Sequence, residues 1–136
     1  MIYALDANIA IHFIHQEPNV HRMIDNVSLN GSKLVIPTAV DYEVRRGFYV
    51  NPNAKRELSY EHLYEKCTLI DLNSRIWQQA MQIYADLRKQ GITIGDFDVI
   101  IAASCVVNSH ILVTTNTKHF ENIASLLLEN WLEMGE

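Results

Sequence analysis

The sequence predicts an α/β domain with a mostly parallel central sheet of about four or five strands flanked by helices. Three observations indicate this fold class. Short apolar runs alternate with longer segments whose apolar residues recur at helical spacing, which is the pattern of strands joined through helices. The 136 residues are enough for one domain with a substantial core. Hydrophobic residues make up 49% of the chain and charged residues 20%, an ordinary globular composition, so we expect a single domain over residues 1–136.

Two strands and two helical segments are predicted in the N-terminal part of the chain. Residues 2–5 form an apolar run that ends at Asp6, and residues 34–36 form a second run. Between them, an apolar-rich segment begins at Asn8, and a helix with apolar residues at helical spacing begins at Pro18. Asp6 and Asn8 are equally suitable caps for the first helical segment. We favour Asn8, because it would leave Asp6 free to face a cleft.

Two helices and a third strand are predicted next. Thr38 and Asp41 resemble a capping box, so a helix should begin there and carry Glu43 on its second turn. An Asn-Pro-Asn segment ends this helix and begins another over about residues 53–66. Residues 68–72 follow as a short strand.

The C-terminal half is predicted to add two long helices and two strands. An amphipathic helix covers about residues 74–90, and Trp77 lies on its apolar stripe, which indicates a core position. A second helix, over about residues 97–108, is almost continuously apolar and should be central and buried. Residues 111–113 form the fourth strand, and residues 131–132 are predicted as a fifth.

Four acidic residues lie where these apolar elements begin or end: Asp6, Glu43, Asp96 and Asp98. Ligands of parallel α/β sheets bind beyond the carboxyl ends of the strands, and Asp6 and Thr114 lie just past the first and fourth strands. Carboxylates brought to one place repel each other, so their convergence needs a compensating cation. Oxygen ligands from Asp and Glu suit Mg²⁺ or Mn²⁺. The chain is therefore interpreted as a divalent-metal phosphodiester hydrolase.

The individual acids differ in how strongly they indicate a site. Asp98 stands in the first turn of the most apolar helix, where the helix N-terminus stabilises its charge. Asp96 is first expected to cap that helix and second to be an extra metal ligand. Glu43 carries little information by itself. The histidines show no zinc-site spacing and are expected to be ordinary residues.

Charge, cysteine content and hydropathy restrict the type of nucleic-acid binding and the cellular location that we expect. A net charge of −5 argues against a general nucleic-acid coat but not against a nuclease, because a bound metal reverses the local charge of an acidic site. Cys67 and Cys105 lie in apolar surroundings without C-x-x-C spacing, so buried reduced thiols are expected. With no signal peptide or membrane-length apolar run expected, we predict a cytoplasmic protein.

Four motifs in order along nearly the whole chain resemble the PIN-domain ribonucleases of the VapC type, the toxins of bacterial and archaeal toxin–antitoxin pairs. The opening segment resembles Leu-Asp-Thr-Asn with Ala7 in place of Thr, and residues 43–47 resemble Glu-x-x-x-Gly. Residues 94–103 are similar to Ile-Gly-x-x-Asp-x-x-Ile-Ala-Ala, and residues 113–120 to Val-Thr-x-Asn-Thr-x-x-Phe. This register assigns the family's third essential acid to Asp98 rather than Asp96.

The resemblance implies an endoribonuclease in which Mg²⁺ or Mn²⁺ activates water. It implies metal ligation by Asp6, Glu43 and Asp98, with Asp96 as an additional candidate. Asn116 stands where many members carry a fourth acid, and it is expected to act as a neutral ligand or water-holder. Expected contacts to phosphate or to the RNA backbone come from four further residues: Thr114, Arg45, Arg46 and Lys118.

The resemblance also implies partners, namely an RNA substrate, a cognate antitoxin that blocks the acidic site, and a second copy of the chain in a homodimer. Operator DNA would be bound only through the antitoxin. Two alternatives remain. One is a PIN-like module that binds RNA or protein without cutting, against which the three intact acids count. The other is a haloacid-dehalogenase-type phosphohydrolase, which needs a second Asp where this chain has Asn8.

Overall fold

The computed structural model describes residues 1–133, in which strands and helices alternate along the chain. The elements in order are β1 (Ile2–Leu5), α1 (Ala7–Ile14), α2 (Pro18–Leu29), β2 (Lys33–Pro37), α3 (Thr38–Val50), α4 (Ala54–Glu65), β3 (Cys67–Ile70), α5 (Ser74–Lys89), α6 (Asp96–Asn108), β4 (Ile111–Val113), α7 (Thr117–Phe120) and β5 (Leu127–Glu129). Most bounds agree with the sequence-based ones to within two residues. The predicted α/β class is confirmed.

All five strands of the sheet run parallel, in the order β3-β2-β1-β4-β5. The strands β2 and β3 follow β1 on one side of the sheet, and β4 and β5 then lie on the other side of β1. In such sheets a crevice opens beyond the carboxyl ends of the strands at the point where the order reverses. Here that point lies past β1, between the ends of β2 and β4.

The core packs helices against both sides of the central strands. Ala4 and Leu5 of β1 are fully buried, as are Ile101 and Ala102 of α6. The prediction that α6 is central and buried is therefore confirmed. Of the two cysteines, Cys105 is buried and Cys67 is only half-buried, and neither forms a disulfide. None of the described helices is long and apolar enough to cross a bilayer.

The predicted fifth strand at residues 131–132 is wrong. The fifth strand is β5, where Leu127 and Leu128 pair with β4. Trp131 follows the strand and is fully buried, with its indole nitrogen donating to Glu129 Oε1 at 3.1 Å. Trp131 is an apolar residue that packs in the core from a turn, and it does not belong to a strand.

The core position predicted for Trp77 is also wrong, because 46% of its surface is exposed. The buried stripe of α5 consists of residues at i, i+4, i+7 and i+11, namely Ile76, Ala80, Ile83 and Leu87. Trp77 lies one position, about 100° of helix rotation, from that stripe. Its indole therefore covers the outer flank of α5 instead of entering the core.

Two predicted helix caps differ from the structure. Pro37 is the N-cap of α3 without a side-chain cap bond, and Asp41 instead accepts hydrogen bonds from Arg45 and Tyr60. Gly95 is the N-cap of α6, and Asp96 is already helical. In both cases the residue before the expected cap has the extended backbone that an N-cap needs, so the helix begins one residue earlier.

Candidate metal-dependent nuclease site

Asp6 occupies the crevice at the end of β1 and is only 6% exposed. Its Oδ1 accepts from the backbone N–H of Ala7 at 2.8 Å, so Asp6 is the N-cap of α1. Its Oδ2 accepts from the Thr114 hydroxyl at 2.8 Å. Our preference for Asn8 as the cap is therefore wrong. Asp6 caps the helix with one oxygen and faces the loop after β4 with the other.

Asn8 instead ties the start of α1 to the segment after β4. Its side-chain amide donates to the Thr114 hydroxyl at 3.3 Å, and its Oδ1 accepts from the Thr115 backbone N–H at 3.2 Å. The Asn116 backbone N–H also donates to Thr114 Oγ1, at 3.1 Å. Thr114 is thus the buried centre of a hydrogen-bond network that sets the position of Asp6.

Burial raises the pKa of Asp6 above its ordinary value, and the nearby charge of Asp98 raises it further. The hydrogen bonds from Thr114 and Ala7 act in the opposite direction and lower the pKa, as does the charge of His119. Desolvation is the largest of these effects. The Asp6 carboxylate is consequently held in a place where its negative charge is not fully compensated by protein groups.

Glu43 reaches the same crevice from the second turn of α3. Burial raises its pKa, and the charges of Asp6 and Asp98 raise it further, while Arg46 lowers it. The Oε1 atom of Glu43 is buried and has no hydrogen-bond partner among the described residues. A buried carboxylate oxygen without a partner is costly, and a cation would supply the missing interaction.

Asp98 lies in the first turn of α6, and its Oδ2 is 2.9 Å from His119 Nε2. His119 belongs to α7, just beyond β4, so the contact joins two elements at the carboxyl edge of the sheet. Sequence reasoning missed His119, which was taken as an ordinary histidine. Its position five residues after Thr114, in the loop region past β4, was the signal that could have identified it.

Asp6, Glu43 and Asp98 together form what we term the acidic cleft. The charges of Asp6 and Asp98 both raise the pKa of Glu43, and the charge of Asp98 also raises the pKa of Asp6. Within residues 1–133, no group of three or more His, Cys, Asp or Glu side chains is already close enough to count as a metal site. Hard oxygen donors, a buried oxygen without a partner and mutual repulsion nevertheless fit a divalent cation.

Asp96, the additional candidate ligand, points to a different surface. It lines a groove with residues of α5 that include Trp77 and Tyr84. Residues two apart on a helix lie about 200° apart around its axis, so Asp96 and Asp98 cannot share one face. Asn116 and Lys118 are both exposed, in the segment that follows β4.

The two adjacent arginines of α3 have different surroundings. Arg45 forms ion pairs with Asp41, at 2.8 Å, and with Glu61 of α4, and its guanidinium also lies over two tyrosine rings. Arg46 lies over the rings of Tyr42 and Phe97, 5.2 and 5.3 Å from their centroids, and its charge reaches Glu43. Arg46 therefore borders the acidic cleft, while Arg45 joins α3 to α4.

Comparison with known proteins identifies the family. Residues 3–126 match the PIN domain family. The chain is 30% identical to the tRNA(fMet)-specific endonuclease VapC of Shigella flexneri, over 95% of this chain and 97% of that protein. It is 28% identical to ribonuclease VapC2 of Rickettsia felis, over 96% of this chain and 98% of the relative.

Solved structures agree with the sequence relatives. The crystal structure of VapBC2 from Rickettsia felis bound to promoter DNA contains a chain that is 26% identical and superposes with a TM-score of 0.89, covering 96% of this chain and 99% of that one. VapBC-1 from nontypeable Haemophilus influenzae gives a TM-score of 0.84 at 27% identity, covering 98% of this chain and 100% of that one. The resemblance found in the sequence motifs is confirmed: the chain belongs to the PIN-domain family, among its VapC ribonucleases.

Proposed function

We propose that this chain is a metal-dependent endoribonuclease that acts as the toxin of a toxin–antitoxin pair. The observation that carries the proposal is the acidic cleft. In it, Glu43 has a buried oxygen without a partner among the described residues, and the charges of Asp6 and Asp98 raise its pKa. The absence of a Ser-His-Asp set in the sequence pattern agrees with a mechanism that needs no side-chain nucleophile. The family membership supports the ribonuclease activity itself.

Asp6, Glu43 and Asp98 would hold Mg²⁺ or Mn²⁺, because both ions prefer carboxylate oxygens and tolerate water as additional ligands. When bound, such an ion polarises the scissile phosphate and lowers the pKa of water for the attack.

The remaining residues of the site position these ligands. Thr114 and the Ala7 N–H fix the Asp6 carboxylate, and His119 fixes Asp98. Since the Thr114 hydroxyl already donates to Asp6, we assign Thr114 to positioning in preference to phosphate binding. Asn116 is exposed beside this network and is proposed as a neutral water-holder.

Arg46 and Lys118 are the proposed contacts to the RNA backbone. Arg46 borders the cleft and carries a charge that acts on Glu43. Lys118 is exposed in α7, the helix that supplies His119. Arg45 is not proposed as an RNA contact, because two acids already engage its guanidinium.

We propose transfer RNA as the first substrate to test, because the Shigella flexneri relative is named a tRNA(fMet)-specific endonuclease. An antitoxin is the proposed inhibitor, and a cationic side chain from it would suit the acidic cleft. Operator DNA would be bound through that antitoxin, as the DNA-bound VapBC2 relative suggests. We further propose a cytoplasmic location and a homodimer formed through the exposed apolar face of α5.

The test is RNA cleavage by the purified protein with Mg²⁺ or Mn²⁺. EDTA should abolish cleavage, and Asp98→Asn should fold normally yet lose more than about a hundredfold in rate. In the same assay His119→Ala should lose about 10- to 100-fold, because it removes the group that orients Asp98. His62→Ala, which changes an exposed histidine of α4, is the matched control.

Two results would contradict the proposal. Wild-type rates in Asp98→Asn would remove Asp98 from the site. Metal binding by calorimetry without cleavage of any RNA, including transfer RNA, would instead favour the PIN-like module that binds without cutting.

A further inference from the structure

A cavity opens beside Glu43 and has no role in the site described above. It has a volume of about 250 Å³ and lies between the end of α1, the second half of α3 and the start of α4. Glu43 lines it, so the cavity adjoins the acidic cleft at that residue. We call it the Gly47 pocket, after one of its lining residues.

The Gly47 pocket is lined by both apolar and polar side chains. Ile11 and Phe48 are among the apolar ones, and Ile11 is 47% exposed although it is a large aliphatic residue. His15, Asn51 and Arg56 are among the polar ones. The guanidinium of Arg56 forms no ion pair or side-chain hydrogen bond with any residue from 1 to 133. The pocket thus offers an apolar surface beside a free positive charge.

Gly47 itself is not required by the packing of the protein. It lies inside α3, where glycine costs about 0.5–1 kcal/mol of stability relative to alanine. A Cβ added at this position would meet no atom within 4 Å, so alanine would fit without any rearrangement. Nothing in the described chain uses the space above Gly47. The missing side chain leaves this space open.

We infer that the Gly47 pocket is a subsite for one unpaired nucleotide of the RNA substrate, next to the scissile phosphate. The inference rests on the proposed ribonuclease function. The base would pack on the apolar side chains of Ile11 and Phe48, and a flanking phosphate would lie against Arg56. Only a splayed, single-stranded nucleotide can offer a free base and a phosphate together in this way, so the subsite selects loops over duplex.

Charge favours RNA over an antitoxin peptide as the occupant. An antitoxin that blocks the acidic cleft with a cationic side chain would bring that charge toward Arg56, whereas an RNA phosphate is attracted to it. The position of Glu43 on the rim also places any bound nucleotide beside the proposed metal ligands.

The experiment measures binding separately from cleavage. A fluorescein-labelled stem-loop RNA is titrated with protein carrying Asp98→Asn, which prevents cutting, and fluorescence anisotropy gives Kd. Adding Gly47→Leu should weaken binding about tenfold by filling the base position, and Gly47→Ala should weaken it less. Arg56→Gln should reduce the slope of log Kd against log salt concentration by about one phosphate contact. Lys55→Gln, its exposed neighbour, is the control for loss of charge.

A scan with abasic nucleotides identifies the base. In the background protein, one abasic position in the loop should weaken binding, and in Gly47→Leu the same position should have no further effect. Thermal melts should show Gly47→Ala at least as stable as the parent.

The outcomes separate this inference from the proposed function. If wild-type protein cuts RNA but neither Gly47→Leu nor Arg56→Gln changes RNA binding, the subsite is refuted while the nuclease stands. If Gly47→Leu weakens only the complex with an antitoxin, the pocket belongs to a protein partner and the inference is equally refuted. If wild-type protein cuts no RNA at all, the proposed function is refuted, and the subsite inference is refuted with it.

Discussion

In the acidic cleft, single residues that the proposed function requires also lower the stability of the folded protein, so function and stability conflict. Asp6 and Glu43 are held where burial, and then the charge of neighbouring acids, raises the pKa of each carboxyl group. Without a metal, the folded protein therefore binds protons more tightly than the unfolded chain does. The stability that these protons contribute is fully present below the ordinary carboxyl pKa of about 4. It is lost as the pH rises through the raised values of the folded state.

Glu43→Gln should reveal this conflict. In EDTA at neutral pH the variant should have a higher free energy of unfolding than wild type, by no more than about 1 kcal/mol because Glu43 is only partly buried and solvent screens its charge. The difference should shrink as the pH falls toward about 4, where the wild-type carboxyl is protonated. With Mg²⁺ added, the order should reverse, since only wild type gains stability from binding the ion.

Urea unfolding at several pH values, with and without Mg²⁺, provides the measurement. Glu65→Gln removes the same charge from an exposed position on α4 and should show neither effect. A Glu43→Gln variant that is less stable than wild type in EDTA at neutral pH would contradict the assignment of Glu43 to an uncompensated carboxylate.

At this scale the sequence pointed to the three acids of the proposed site but not to their supporting contacts. Asp6, Glu43 and Asp98 could be found because an acid at the boundary of an apolar element is unusual and physically costly. His119 could not be distinguished from other histidines, because its role depends on a contact with Asp98 across 21 residues of chain. The choice between Asp6 and Asn8 as a cap depended on the position of Thr114, which sequence alone does not provide.

At the scale of elements, α3 carries two adjacent arginines with separate roles. Residues next to each other on a helix point about 100° apart, so Arg45 faces α4 and Arg46 faces α6. Arg45 shares Asp41 with the hydroxyl of Tyr60, which donates to Asp41 Oδ1 at 2.7 Å. This arrangement predicts that substitution of Arg45 affects stability and that substitution of Arg46 affects activity.

We expect Arg45→Met to lower the free energy of unfolding by roughly 1–2 kcal/mol, because it removes one charged hydrogen bond within α3 and another that joins α3 to α4. Its cleavage rate, measured below the unfolding transition, should stay near wild type. Arg46→Met should behave in the opposite way, with stability changed by less than about 0.5 kcal/mol and a raised KM for RNA. Each variant serves as the control for the other, and equal losses of cleavage rate in both would contradict the division of roles.

Element types were predictable where apolar periodicity was strong, and errors arose where tertiary packing decided the outcome. The helices α5 and α6 have long apolar patterns and were located to within a residue or two. The strand β5 is only three residues long, and the fully buried Trp131 lies two residues beyond it. Trp77 was misplaced because a wide apolar stripe does not show which of its edges is buried.

At the scale of the whole molecule, the parallel sheet explains how acids far apart in sequence come together. Asp6 follows β1, Glu43 lies in the helix after β2, and Asp98 lies in the helix before β4. The alternation of strands and helices predicted that these positions share one edge of the sheet. The strand order was not predictable, because the pairing of β1 with β4 depends on contacts across more than 100 residues.

The outer face of α5 predicts how two copies of the chain associate. Trp77, Met81 and Tyr84 are all exposed, and their spacing of four and three residues puts them on one side of the helix. They line an apolar groove of about 330 Å³ against α6. Isolated apolar residues are normal on a surface, but a contiguous patch of this kind marks an interaction site. A twofold homodimer would bury the same patch on both copies.

Met81→Glu should therefore convert a homodimer into a monomer. Twofold symmetry places the new charge in the interface twice, where it would be buried without a partner. Size-exclusion chromatography with light scattering should give twice the 15.6 kDa chain mass for wild type and the single mass for the variant. Gln78→Glu, on the same helix but outside the apolar groove, should remain dimeric. A dimeric Met81→Glu would place the interface elsewhere, and a monomeric wild type would remove the homodimer from the proposal, because an apolar patch that never associates has no partner copy to bury it.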